Sequence, residues 1–586
     1  MTARDGAPRQ GERGGASLVL LAGAALLVGT IPVSAQEEFL VTTSAPGHYG
    51  GRLIVAERSQ PKTLNPITAV DNVSRDVIQL MTADLIHSNQ ESQRTEPALA
   101  SSYTVSPDGR HFVLHLRHGL RFSDGHPFDA DDVVFSFQVY LDEKTHSPQR
   151  DLLLVGGKPI SVHRQDAYTV AVDLPEPHGP AERMFDDIAI LPRHLLLKAF
   201  MEGTLPQAWS LGTEASQFAG LGPFRFAEYV PGQRLTLERN PYYWKMDKAH
   251  NRLPYLDNVT FHYVGAEDAR VLSFQSGSTD IVSRLNARDF QSLAAHAQPS
   301  QKLLDIGPGL EYSFLFFNLN DVSKRSLPEV QRKQSWFRDV NFRRAVSVAI
   351  DRENIAKLVY AGRATPIWTN VTPGNKLWIN ASVPKPPRSV ETARKLLRSA
   401  GFSWNTKGQL LDSGGKPVEF TIVINTGNTE RAEMATIIQE DLKEIGISVQ
   451  TVQLEFRSML DRVMNTFDYD ACILGLTSGD VDPGSEMNVW TSGGSTHLWH
   501  LGETAPDTGW EAEIDRLMKA QMVSTDVRQR KILYDRVQQL VADNLPVICL
   551  VSPDVLVAAK SGIRNFRPAI LPSNALWNAE ELFWNQ

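Results

Sequence analysis

Between residues 420 and 452 a strand, a helix and a second strand follow one another, and this order narrows the architecture more than any other stretch of the chain. Phe420-Thr-Ile-Val-Ile-Asn is apolar and β-branched. Glu430 to Ile445 carries its apolar residues at helical spacing, and Ile447-Ser-Val-Gln-Thr-Val alternates. Two strands joined through a helix run parallel, whereas an antiparallel pair closes with a short turn. The segment therefore predicts a βαβ unit, a largely parallel sheet there, and an α/β chain.

Other segments mix the same two element types. Gly51-Arg-Leu-Ile-Val-Ala, Tyr168-Thr-Val-Ala-Val-Asp-Leu and the hairpin Tyr103 to Arg117, turning at Ser106-Pro-Asp-Gly109, read as strands. Helices are expected from Val73, from Asp129 with its acidic first turn, over Asn341 to Tyr360 as one amphipathic piece, over Glu391 to Ala400 before Gly401, and over Val527 to Ala542. Residues 36–50 read as a flexible leader. At 586 residues the chain exceeds what one hydrophobic core accommodates, so two or three domains are expected.

Composition excludes some functions. A net charge of −8, from 59 basic against 67 acidic residues, provides no polybasic surface for nucleic acid. At the N-terminus Arg4, Arg9 and Arg13 precede an apolar run from Ala16 to Val28, and Val33-Ser34-Ala35 supplies small residues. This is the layout of a cleaved export signal, with Gln36 as the first mature residue. The only cysteines, Cys472 and Cys549, sit in apolar strand-like runs far from that junction, so no lipid anchor follows cleavage; a disulfide and two buried thiols both remain open. No Gly-x-Ser-x-Gly, His-Glu-x-x-His, Cys-x-x-Cys or phosphate-binding loop is present, and no enzyme activity or cofactor is expected. His497 and His500 lack a third ligand at zinc spacing, so no metal is expected either.

Six blocks, in order, carry a resemblance: Thr63-Leu-Asn-Pro66; Pro97-Ala-Leu-Ala-Ser-Ser102; Phe112-Val-Leu-His-Leu-Arg117; Phe122-Ser-Asp-Gly-His-Pro-Phe128 with Ala130-Asp-Asp-Val133; Gly222-Pro-Phe with Arg239-Asn-Pro-Tyr-Tyr-Trp244; and Phe342-Arg-Arg-Ala-Val with Ala349-Ile-Asp-Arg352. Together they resemble the extracellular solute-binding proteins of family 5, which include oligopeptide- and dipeptide-binding proteins of ABC importers. The resemblance implies a periplasmic-binding-protein fold of the three-domain type, with two lobes and hinges near residues 312 and 550. Domain I would comprise 36–80, 192–312 and 550–586, domain II 81–191, and domain III 313–549. It further implies a periplasmic monomer that passes a peptide or an oligosaccharide to an ABC permease complex in the inner membrane.

In peptide-binding relatives Gly-Trp is followed, after two intervening residues, by an aspartate that pairs with the peptide's α-amine. The matching segment here is Gly475-Leu-Thr-Ser-Gly-Asp-Val-Asp-Pro483, with Leu476 at the tryptophan position and Gly479 at that of the aspartate. Capture of a free amine at position 479 is therefore not expected. Asp480 is the nearest acid, and Asp482 reads as a turn stabiliser. Gly475, Leu476, Thr477 and Asp480 are the first candidate ligand contacts. Asn425 and Arg431, in the loop after a strand, and Trp490 and Trp499, flanking Ser492-Gly-Gly-Ser495, complete the set.

Overall fold

The computed structural model describes residues 37–186, 188–571 and 573–585. The export signal expected over 1–35 lies outside them. No helix among the described residues is long and apolar enough to cross a membrane.

The βαβ unit forms as its pattern predicts. Strand Glu419–Asn425, helix Thr429–Glu444 and strand Ser448–Leu454 follow in order, and the strands pair in parallel with Phe420 opposite Val449. Asn428 caps the helix by accepting from the Arg431 amide, which satisfies one of the orphan donors of its first turn. On the other side of Glu419–Asn425 lies Ala471–Thr477, also parallel, followed by the antiparallel Glu311–Phe317.

This group belongs to a sheet of 12 strands that serves two hydrophobic cores. The strand Val547–Lys560 crosses between them. Its first half pairs with Glu311–Phe317, and its second half with Gln301–Pro308 and Ile281–Val282. Beyond those, Arg52–Glu57, Asn258–Tyr263, Arg234–Arg239 and Phe224–Val230 complete the far side. One core gathers Leu53, Phe122, Phe137, Trp244 and Phe261, and a smaller cluster around Phe274 and Phe290 covers the opposite face of those strands. The other large core gathers Phe317, Phe342, Ile422, Ile438 and Ile548. The result is a two-lobed α/β fold whose lobes are linked through Pro308–Glu311 and the middle of the crossing strand. There Pro553 to Val555 are only half-buried between two buried runs. Gly309 donates to the Pro553 carbonyl at 3.0 Å, and the Ser552 hydroxyl donates to the Glu311 carbonyl at 2.8 Å.

Several local expectations hold. The hairpin forms from Ala100–Val105 and His111–Leu116. Asp129 and Asp132 make a reciprocal capping box on helix Ala130–Leu141. Gly401, past helix Val390–Ser399, takes φ +86°, where a side chain would be strained.

Two expectations are corrected. Asn341 to Tyr360 is not one helix but two, Val340–Ala349 and Arg352–Val359. Ile350 is extended, and the Asp351 carboxylate caps the second helix by accepting from Asn354 N. Residues 37–50 are not a loose leader. Leu40–Val41 pairs in parallel with Lys245–Met246, and the Glu38 amide donates to the His118 carbonyl at 2.9 Å.

Both cysteines are free and buried. Cys472 lies opposite Phe316 and Cys549 opposite Phe314, on the two flanks of Glu311–Phe317. Two strand spacings of about 4.8 Å each separate their backbones by roughly 9.6 Å. A disulfide needs less than about 7 Å.

Candidate functional site

The loop that leaves strand Ala471–Thr477 reaches the junction of the lobes. Asp482 caps the short helical turn Pro483–Glu486, accepting from Gly484 N at 2.9 Å. The same buried carboxylate takes Arg530 in a fork, with Nη1 at 2.8 Å and Nη2 at 2.6 Å. Two parallel charge-assisted bonds fix the loop's direction, because the guanidinium plane matches the carboxylate plane. The turn-stabilising reading of Asp482 matches this placement.

Four residues beyond Asp482, the loop delivers Glu486 into the interior. Its Oε2 accepts from the Trp490 indole at 2.7 Å and from the Tyr534 hydroxyl at 3.1 Å, both neutral donors. Burial pushes the Glu486 carboxyl above its ordinary range, and those hydrogen bonds only partly oppose the shift. Asn370, Asn375, Ser478, Asp482, Glu486 and Tyr534 line a small cavity of about 10 Å³, room for one water-sized group. The wall is therefore rich in amides and hydroxyls around two buried carboxylates, of which Asp482 is paired with Arg530 and Glu486 is held by neutral donors.

The other lobe meets the second lobe beside this wall. Arg183, from the turn Ala181–Phe185, donates through Nη1 to Asp480 Oδ1 at 2.6 Å and through Nη2 to the Gln93 carbonyl at 2.8 Å. Gln93 is fully buried between the lobes. Its side-chain amide donates to the Gly374 carbonyl at 2.7 Å and accepts from Lys376 N at 2.9 Å. Asp480 is pushed up to about 6, chiefly by burial; Arg183 opposes the rise and Asp482 adds to it.

The sequence-derived candidates separate into three places. Gly475, Asn425 and Arg431 come together at the ends of adjacent strands. Arg431 Nη1 donates to Asn425 Oδ1 at 2.6 Å, and a side chain at Gly475 would meet Arg431. The Glu311 carboxyl adjoins this group; burial raises it and Arg431 opposes the rise. Leu476 packs at the edge of the second core, Thr477 is exposed, and Asp480 turns to Arg183 in the other lobe. Trp490 and Trp499 lie in the core, each 2% exposed, with ring centroids 5.4 Å apart. Their faces meet protein, and Trp490 reaches the cavity wall only through its indole N–H, which holds Glu486. Arg183, Gln93, Asn370, Asn375, Glu486 and Tyr534 carried no sequence signal; only the match over Gly475 to Pro483 marked the loop.

Known proteins share this fold. The sequence model of the family described as bacterial extracellular solute-binding proteins, family 5 middle, matches residues 94–497. A probable ABC transporter-binding protein of Deinococcus radiodurans is 28% identical over 561 residues, 91% of this chain and 93% of that protein. The oligopeptide-binding protein AppA of Bacillus subtilis is 27% identical over 547 residues, 91% of each. Its structure in complex with a nonapeptide aligns with a TM-score of 0.65 at 25% identity, covering 92% of this chain and 100% of that one.

Proposed function

The chain belongs to the bacterial extracellular solute-binding proteins of family 5, and on that premise we propose that it is the substrate-binding component of an ABC importer, capturing a peptide-like solute between its lobes. The observation that carries the proposal is the buried polar wall around Glu486, beside which Arg183 and Gln93 reach across from the opposite lobe to Asp480, Gly374 and Lys376. Amides and hydroxyls there suit a peptide backbone, which presents one donor and one acceptor per residue. The linkers through residues 308–311 and 551–555 act as the hinge in this reading, with domain limits as the resemblance draws them. Delivery to an inner-membrane permease from the periplasm completes the role, and no bond of the solute is broken.

Glu486 supplies the carboxylate that position 479 lacks. A ligand ammonium entering the cavity would meet a desolvated acid held only by neutral donors, and a hydrogen bond to a charged group contributes about 1.5–3 kcal/mol. Gly475, Asn425 and Arg431, with Leu476 and Thr477 alongside, form a second contact region for a longer chain. Arg431 is suited to a ligand carboxylate there.

Calorimetric titration with peptides bearing free or acetylated N-termini tests the reading. Acetylation is expected to weaken binding to the natural protein by about 10–150-fold, and to change little in Glu486→Gln. Equal affinity for both peptides in the natural protein removes Glu486 from the amine-binding role. Failure of every peptide removes the peptide assignment itself.

A further inference from the structure

At the end of strand Glu311–Phe317 remote from the cleft, the segment from Thr491 to Thr508 crosses the second lobe without helix or strand. Unstructured segments longer than about 12–15 residues are uncommon inside compact domains unless something holds them. Leu319 N donates to the Trp499 carbonyl and Leu501 N to Asn320 Oδ1, which ties the segment to this end.

Four side chains converge inside it. His497, Glu503 and Glu511 present ligand atoms that all lie within 4.8 Å of one another. His500 Nδ1 stands 2.7 Å from Glu503 Oε1 and 3.7 Å from Glu511 Oε1. All four side chains are nearly sealed from solvent, at 1–5% exposure.

Each group is already held by its other end. His497 Nδ1 lies 2.9 Å from the Val489 carbonyl, which can only accept, so the proton sits on Nδ1 and Nε2 is a bare lone pair. Among the described residues that Nε2 has no hydrogen-bond partner, and across 3.8 Å it faces Glu503 Oε1, the oxygen that His500 Nδ1 approaches at 2.7 Å. Glu503 Oε2 is taken by the Asp507 amide at 2.9 Å, and Glu511 Oε2 by the Thr508 hydroxyl at 2.6 Å. His500 Nε2 points to Asp507, 3.4 Å away. A buried imidazole lone pair left without a donor is unfavourable. Imidazoles oriented by a carbonyl or carboxylate on the second nitrogen are what metal ligation requires.

We propose that His497 Nε2, His500 Nδ1, Glu503 Oε1 and Glu511 Oε1 bind one zinc ion in a closed, four-coordinate site that staples this segment to helix Gly509–Val523. Two imidazoles and two carboxylates are a zinc donor set, and bonds of about 2.0–2.2 Å place tetrahedral donors roughly 3.3–3.6 Å apart. The spacings of 3.7 and 3.8 Å nearly meet this, while the His500–Glu503 contact lengthens when its shared proton is displaced. Two ionised glutamates then balance the ion's charge. The role is structural, since the strand and its following turn set the site roughly 20 Å from the cleft.

The full chain, stripped with a chelator and titrated with Zn²⁺ alone against a chromogenic competitor, is expected to take up one equivalent and to melt at a higher temperature with it. Co²⁺ is expected to give the visible absorption of a tetrahedral site. His497→Gln, which retains a donor for the Val489 carbonyl, is expected to lose about a hundredfold in zinc affinity, and Glu503→Gln serves as a second variant should the first not fold. No stoichiometric uptake and no melting shift in the natural protein would overturn the site, leaving His500 as a buried cation between two carboxylates. Undiminished binding in both variants would equally overturn it, by placing the metal elsewhere.

Discussion

Replacing Gln93 isolates the free energy with which the lobes hold one another. Its side chain makes two hydrogen bonds to the backbone of the opposite lobe, at 2.7 and 2.9 Å, from a position with no solvent exposure. In an opened protein the Gly374 carbonyl and the Lys376 amide bond to water instead. The difference between the two states is therefore the net value of two hydrogen bonds, about 0.5–1.5 kcal/mol each. A loss of about 1–3 kcal/mol lowers the ratio of closed to open protein by about 5–150-fold, and ligand affinity falls with the closed fraction. The backbone at Gln93 has φ 61°. Alanine there keeps the strain of about 1 kcal/mol that glutamine already bears in both states, whereas glycine relieves it. Gln93→Gly and Gln93→Ala should therefore bind equally weakly, with Gln93→Ala melting lower than Gln93→Gly. Calorimetry gives the affinity, and small-angle X-ray scattering of the ligand-free protein gives the opening. An unchanged dissociation constant together with an unchanged scattering profile in Gln93→Gly would refute the reasoning.

Ligand affinity should rise with pH through the elevated Glu486 pKa, because only the ionised acid attracts an ammonium, and then level off. Glu486→Gln should flatten that profile, and a slope persisting in the variant would assign it to another group. The raised pKa also means that the folded protein holds the proton more tightly than the unfolded chain. Glu486 therefore makes stability decline as pH rises between its unfolded and folded pKa values, and the same variant should remove that decline in melts of ligand-free protein. The two thiols should resist a disulfide reagent in the native state and both react after denaturation without reductant. Burial pushes Cys549 up to about 12 and Cys472 higher still, so neither forms thiolate at neutral pH. Denatured, unreduced protein with no reactive thiol would contradict their placement on opposite flanks of one strand.

What the sequence disclosed of the fold came from patterns complete within a few turns of chain. The βαβ unit at 419–454 and the capping box at Asp129 are such patterns, since alternation, helical spacing and cap residues are local. The sharing of one sheet between two cores was hidden. Val547–Lys560 is apolar on both sides of Pro553, and nothing local marks where its partner changes from Glu311–Phe317 to Gln301–Pro308. The site divides in the same way. The segment from Gly475 to Pro483 was found because its residues are contiguous, but Gln93 meets Gly374 across 281 positions and Arg183 meets Asp480 across 297. Trp490 and Trp499 stood out as aromatic residues beside glycines, a pattern that core packing produces as readily as stacking on a ligand. His497 and His500 lacked a partner at zinc spacing, yet folding brings Glu503 and Glu511 to them from irregular intervals.

Capture of a peptide in the cleft is tested most directly by native mass spectrometry of the full mature chain offered an equimolar mixture of short peptides. The account predicts a single adduct of one peptide per chain, which is weakened in Gln93→Gly and released unaltered in mass when the protein is denatured. A spectrum without any peptide adduct would contradict it, as would recovery of cleaved peptides from the same mixture.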